Sequence, residues 1–224
     1  MNSSVRSFVA SLFFVAGLAH ASILPPTGSA PVPPDVFTTP VDGPFLATTG
    51  TLPFTAHNSL GQVTITGTYV AEVYSDPSNV FCPGCLDFLF EITSNTTSTD
   101  VIARITDAYF GTYLTDVGYS TGTGSVPGGI FPVTVDRSSD GGVIGFNFSV
   151  PAGVQPGQET EILEIETNAT SFMPGSLQII DGSDTSILAY APGTAPEGST
   201  VGMMLLGMML FGIAFLTNRR AAAK

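Results

Sequence analysis

The stretch QVTITGTYVAEV, residues 62–73, decides the fold class. Val63, Ile65, Tyr69, Ala71 and Val73 fall on one side of an extended chain, and Thr64, Thr66, Thr68 and Glu72 on the other. Strand side chains alternate between faces, so this period of two predicts a half-buried β-strand. The texture recurs outward from it. LDFLFEI, residues 86–92, sets Leu86, Phe88, Phe90 and Ile92 inward; VIGFNFSV, residues 143–150, does the same with Ile144, Phe146, Phe148 and Val150. EILEIET at 161–167 and SLQIIDG at 176–182 repeat it. Turn chemistry separates the runs at Asp76-Pro77, Gly128-Gly129, Asp140-Gly141-Gly142, Pro156-Gly157 and Asp181-Gly182. No part of the body sustains a 3.6-residue period, and a parallel sheet would need crossover helices. The expectation is an all-β domain over residues 51–192, an antiparallel β-sandwich with a barrel as the alternative. Residues 22–50, with PPTGSAPVPPD at their heart, read as a Pro/Gly/Thr-rich leader, extended or at a sheet edge.

The ends of the chain read as sorting signals. MNSSVRSFVASLFFVAGLAHAS has Arg6, an apolar run over residues 8–18, and small residues at Ala19 and Ala21, which predicts a signal helix cleaved after Ala21 by signal peptidase, following export by the Sec machinery. The apolar run is too short for a membrane span, which takes roughly 20 residues. At the other end, APEGSTVGMMLLGMMLFGIAFLTNRRAAAK carries no charge over residues 201–217. As a helix that run spans about 25 Å, and Ser199, Thr200 and a snorkelling Arg219 extend it toward the hydrocarbon thickness. It is apolar on every face, unlike a core helix, which shows a polar stripe. A transmembrane helix is therefore expected over 201–218, after a linker at 193–200. The basic tail at 219–224 with Arg219 and Arg220 is expected on the cytoplasmic side. All 18 acids lie between Asp35 and Glu197, an interval whose cations are Arg104 and Arg137. So acidic a body repels phosphate, which excludes nucleic acid as a partner.

Pro196-Glu197-Gly198, Ser199-Thr200, the apolar run and Arg219-Arg220 together resemble the PEP-CTERM sorting signal of Gram-negative bacteria, with Gly198 where the family has its second proline. The resemblance covers about the last 30 residues. It implies processing by an exosortase-type membrane enzyme and a place in the cell envelope or at the surface, held in the inner membrane or released. A plain C-terminal anchor and a GPI signal are the alternatives. LPPTG at residues 24–28 matches the letters of a Gram-positive sortase signal, but it follows the signal peptide instead of preceding the C-terminal helix. DPSNVFCPGCLDFLFEI, TDVGY and RSSDGGVIGFNF more loosely resemble domains of PEP-CTERM exported proteins, for which the resemblance implies no activity.

Candidate chemistry is sparse. Cys82-Pro83-Gly84-Cys85 has the spacing of a redox pair but precedes a strand pattern instead of a helix; Pro and Gly at its centre predict a type II turn closed by a structural disulfide. After cleavage His57, in TAHNSLG, is the sole imidazole and reads as a turn residue, so neither zinc nor a Ser/His/Asp set is expected. Asp136 and Asp140 in DRSSDGG, with Asp181 and Asp184 in DGSD, are candidate Ca²⁺ ligands, although β-turns are the preferred reading. Asn95, Asn147 and Asn168 occupy sequons; Tyr109, Tyr113 and Tyr119 are candidates for a sugar-stacking face. The expectation is a non-enzymatic exported surface or matrix protein without a cofactor. A carbohydrate- or calcium-binding module is the alternative, with extracellular polysaccharide as a partner; a hydrolase built on two carboxylates comes third.

Overall fold

The computed structural model describes residues 23–30, 35–37, 43–120, 126–149, 152–180 and 183–193. These hold thirteen strands: β1 (Ser29–Ala30), β2 (Asp35–Phe37), β3 (Phe45–Thr48), β4 (Leu52–Asn58), β5 (Val63–Asp76), β6 (Cys85–Ser94), β7 (Arg104–Ala108), β8 (Thr115–Ser120), β9 (Thr134–Arg137), β10 (Val143–Asn147), β11 (Ile162–Thr167), β12 (Phe172–Ile180) and β13 (Ser183–Pro192). No helix occurs among the described residues. The signal helix and the transmembrane helix expected from the sequence lie outside them.

The strands form two antiparallel layers, consistent with a β-sandwich. One runs β1-β9-β10-β7-β12-β13 and the other β4-β5-β6-β11-β8-β2, with β3 also paired to β5. The layers join where β13 meets β4, through Ser183↔Asn58 and Asp184↔His57. On the far side the leader does the stitching. Ile23 bridges Asp116, β1 pairs with β9, and β2 returns to pair in parallel with β8. Edges that would template aggregation are thus occupied by the chain's own leader.

The opening stretch behaves as its alternation predicts, with one exception. Ile65, Tyr69, Ala71 and Val73 are buried, whereas Val63 is 52 % exposed because it heads β5 beside the turn in which the Asn58 carboxamide oxygen accepts from Leu60 and Gln62. The inward gap at Gly67 is filled by its cross-strand partner Phe54: a Cβ there would lie 2.5 Å from that ring and 2.1 Å from the Thr93 carbonyl oxygen. Leu86, Phe88, Phe90 and Ile92 from β6 meet Ile105, Ile144, Phe146, Leu177 and Ile179 of the other layer in one apolar core. Phe88 packs edge-to-face on Phe110, with ring centres 5.7 Å apart. Leu24 of LPPTG also enters this core, at 2 % exposure, and the Gly28 N–H donates to the Pro25 carbonyl at 2.7 Å. That motif is a turn pinned by a core residue. His57 sits in β4 beside a bulge, and not in a turn as expected.

Candidate functional site

The outward face of the β5-β6-β11-β8 layer carries a patch that its strand patterns conceal. Alternation turns Phe88, Leu163, Ile165 and Val117 into the core, and therefore turns Asp87, Glu164, Glu166 and Asp116 to the opposite face. Register then aligns them: Glu166 pairs with Asp87 on one side and Asp116 on the other. All four are buried even so, and Asp76, at the end of β5, is 4 % exposed beside them. One carboxylate oxygen from each of Asp76, Asp87 and Glu166 lies within 4.8 Å of the others.

Loop 77–84 closes over this patch and holds it in a regular way. Three consecutive loop residues each donate to one carboxylate. The Ser78 N–H donates to Asp76 Oδ1 at 2.7 Å, Asn79 Nδ2 to Asp87 Oδ1 at 2.6 Å, and the Val80 N–H to Glu166 Oε2 at 3.1 Å. Asp87 Oδ2 and Glu164 Oε2 have no hydrogen-bond partner among the described residues. Burial, then the neighbouring Glu164 and Glu166, push the Asp87 carboxyl up to about 10. Burial, then Glu166 and Asp76, raise Glu164 well above the usual range, and burial raises Glu166. Crowded carboxylates removed from water resist ionisation unless a cation joins them. Of the described cations, Arg104 is committed to Asp136 and Arg137 to oxygens between the layers.

The loop is fixed at its far end by the Cys82–Cys85 disulfide, with Cα atoms 5.4 Å apart. The Cys85 N–H donates to the Cys82 carbonyl at 3.0 Å, and Gly84 has φ +82°, as a type II turn requires. So small a ring restricts the unfolded chain little. Replacing both cysteines by alanine is expected to lower unfolding free energy by about 2 kcal/mol, measured by urea denaturation.

The aspartates singled out in turns are placed otherwise. Arg104 Nη2 donates to Asp136 Oδ1 at 2.7 Å, and Asn147 Nδ2 to Asp136 Oδ2 at 2.6 Å. Hydrogen bonds from Arg104, then Asn147, outweigh burial and hold the Asp136 carboxyl low. The guanidinium lies across Gly145, where a Cβ would fall 2.1 Å from Nη2. Asp140 Oδ1 accepts from Ser138 Oγ at 2.5 Å and from the Gly142 N–H at 2.9 Å, which is turn geometry. Asp181, the Asp184 side chain, Ala19, Ala21, Pro196, Glu197, Gly198, Arg219 and Arg220 lie outside the described residues. Tyr119 faces inward at 6 % exposure and stacks on Phe131, so it is not available to an exposed sugar face.

Spacing hides the carboxylate cluster, because its members come from separate strands. Its one signal is acids at alternate positions within apolar strands, Asp87 in LDFLFEI and Glu164 and Glu166 in ILEIET. Glycosidase carboxylates flank a sugar roughly 5 to 9.5 Å apart. These converge on one point, and loop 77–84 covers them. On the same face, Val70, Glu72, Leu89, Phe90, Glu91 and Ile162 line a groove of about 210 Å³. That is below the roughly 300 Å³ at which small-molecule pockets begin. No protein-family model matches this chain, and no curated protein or solved structure proves similar to it.

Proposed function

We propose that the chain is a non-enzymatic exported protein of the cell surface or extracellular matrix, whose acidic β-domain is sorted by its PEP-CTERM-like tail. The observation that carries this reading is the charge-free run over residues 201–217 ending in Arg219 and Arg220, opposite a signal-peptide pattern at the other end. Two features of the body fit the same route. Both cysteines of the chain are joined in a disulfide, a bond that persists in oxidising compartments. The acidic surface favours solubility outside the membrane. In this reading the Sec machinery and signal peptidase act first, an exosortase-type enzyme acts at Pro196-Glu197-Gly198, and the membrane holds the tail helix. Deleting residues 196–224 is expected to move the protein from the membrane or surface fraction into soluble fractions or medium, followed by immunoblot. Unchanged surface retention would rule the tail out as the anchor.

A second reading, a binding module carried on the same anchor, draws support from the carboxylate cluster. Its calcium arm has a specific set of oxygens behind it. Its carbohydrate arm has only the groove beside them.

A further inference from the structure

We propose that Asp76, Asp87 and Glu166 form a Ca²⁺ site that ties loop 77–84 to the β6–β11 sheet. The inference deepens the calcium arm of the second reading and is independent of where the protein is delivered. Four observations carry it. The ligand atoms of the three carboxylates lie within 4.8 Å of one another, which is the span of two opposed Ca²⁺–oxygen bonds of about 2.4 Å. Each is oriented by a donor from Ser78, Asn79 or Val80, the arrangement by which outer groups fix metal ligands. Asp87, a member of this cluster, is fully buried and its Oδ2 has no hydrogen-bond partner among the described residues, so the fold leaves one of its two oxygens free for a cation. Glu164, the next outward residue along β11, is 2 % exposed, and its Oε2 has no hydrogen-bond partner among the described residues. A buried carboxylate with neither donor nor cation is costly, and a divalent ion beside it removes that cost.

The chemistry selects the ion class. Every donor is a carboxylate oxygen, which suits hard cations and disfavours zinc or copper. Mg²⁺ takes a tight octahedron and keeps several waters, whereas Ca²⁺ accepts irregular sets of six to eight oxygens and bidentate carboxylates. A covered site built from strands at sheet spacing fits Ca²⁺ better. The site is therefore distinct from the turn aspartates Asp136 and Asp140, whose oxygens are taken up by Arg104, Asn147, Ser138 and Gly142.

The test uses the full chain in detergent, stripped with EDTA and titrated with CaCl₂ by calorimetry, with MgCl₂ in parallel. One Ca²⁺ per chain is expected, with a dissociation constant of about 0.1–1 mM as in extracellular modules. At 10 mM the ion is expected to raise the unfolding midpoint by roughly 3–11 °C. Asp87→Asn and Glu166→Gln are each expected to weaken binding at least about tenfold, and Asp140→Asn to leave it unchanged. Should Asp87→Asn fail to fold, Glu166→Gln carries the comparison, with circular dichroism as the folding check. No heat and no midpoint shift in the wild type would overturn the proposal. Binding that survives both cluster variants, or is lost in Asp140→Asn, would overturn it equally. Since purified protein is read directly, neither result depends on the export reading, which stands or falls on the tail deletion.

Discussion

Replacing Arg137 by alanine is expected to lower the unfolding free energy by about 3–5 kcal/mol, the largest loss of any single substitution considered for this fold. The side chain is 5 % exposed and has no carboxylate partner among the described residues. Its guanidinium instead donates five hydrogen bonds to neutral oxygens. Nε reaches the Gly141 carbonyl at 2.9 Å. Nη1 reaches the Leu24 carbonyl at 2.8 Å and Thr115 Oγ1 at 2.9 Å. Nη2 reaches the Phe110 and Tyr113 carbonyls, each at 2.8 Å. These acceptors belong to the leader, to the start of β8, to the loop before it and to the β9–β10 turn, so one side chain stitches the leader to both layers. Hydrogen bonds from a charged donor contribute about 1.5–3 kcal/mol each, and an orphaned buried acceptor costs about 1–3 kcal/mol. Water entering the vacated space recovers part of this, which is why the expected loss is below the sum. For a domain of this size the midpoint should fall by at least about 6 °C. Lysine keeps the charge but loses the planar fork, so Arg137→Lys should fall between alanine and wild type. By contrast Arg104→Ala, at a half-exposed ion pair, should cost only about 1 kcal/mol. Thermal unfolding followed by circular dichroism checks all three; equal midpoints for the alanine variants would refute this assignment of roles.

How much of this was legible in the residues depends on what each segment had to bury. The β5 and β6 strands declare themselves, since Ile65, Tyr69, Ala71, Val73, Leu86, Phe88, Phe90 and Ile92 alternate with polar positions and all become core. The Cys82–Cys85 turn is equally plain, because Pro and Gly in that order admit few conformations. Register is not legible. Nothing in the spacing of Asp87 and Glu166 says that they become cross-strand partners, since pairing between β6 and β11 is set by long-range packing of both faces. Arg137 and Asp107 escape for a different reason. The period of two places Arg137 beside Val135 and Asp107 beside Ile105 on inward faces, but a charged residue in such a position is ordinarily read as ending the strand. The leader is half legible. Its prolines read as an extended or edge segment, and β1 and β2 do pair at the two ends of the strand order, but nothing there marks Leu24 as core.

The second large effect concerns Asp107, and its signature is a slope against pH. This residue is fully buried in β7, with Ile144 and Leu177 as its cross-strand partners. Its Oδ1 accepts from the Ala108 N–H at 2.8 Å, while Oδ2 has no hydrogen-bond partner among the described residues. Burial raises the carboxyl well above its usual value, with the Ala108 hydrogen bond opposing it. The folded state therefore binds this proton more tightly than the unfolded chain, whose aspartates titrate near pH 4. The stabilisation is fully present below that value and is lost as pH rises through the folded-state value, at up to about 1.4 kcal/mol per pH unit. Asp107→Asn removes the ionisation while keeping the shape. The other raised carboxyls lie away from Asp107 and are common to both proteins, so they largely cancel in the difference. Unfolding free energies measured from pH 4 to pH 8 should therefore diverge, the variant gaining on the wild type with each unit and exceeding it at neutral pH. Parallel curves would mean that Asp107 meets water or a proton acceptor in the native state, and its place in a dry core would be wrong. Asp107→Leu separates the charge from the polar atom. If the orphaned Oδ2 is itself costly, leucine should be more stable than asparagine at every pH, by about 1–3 kcal/mol, provided the core accepts its volume.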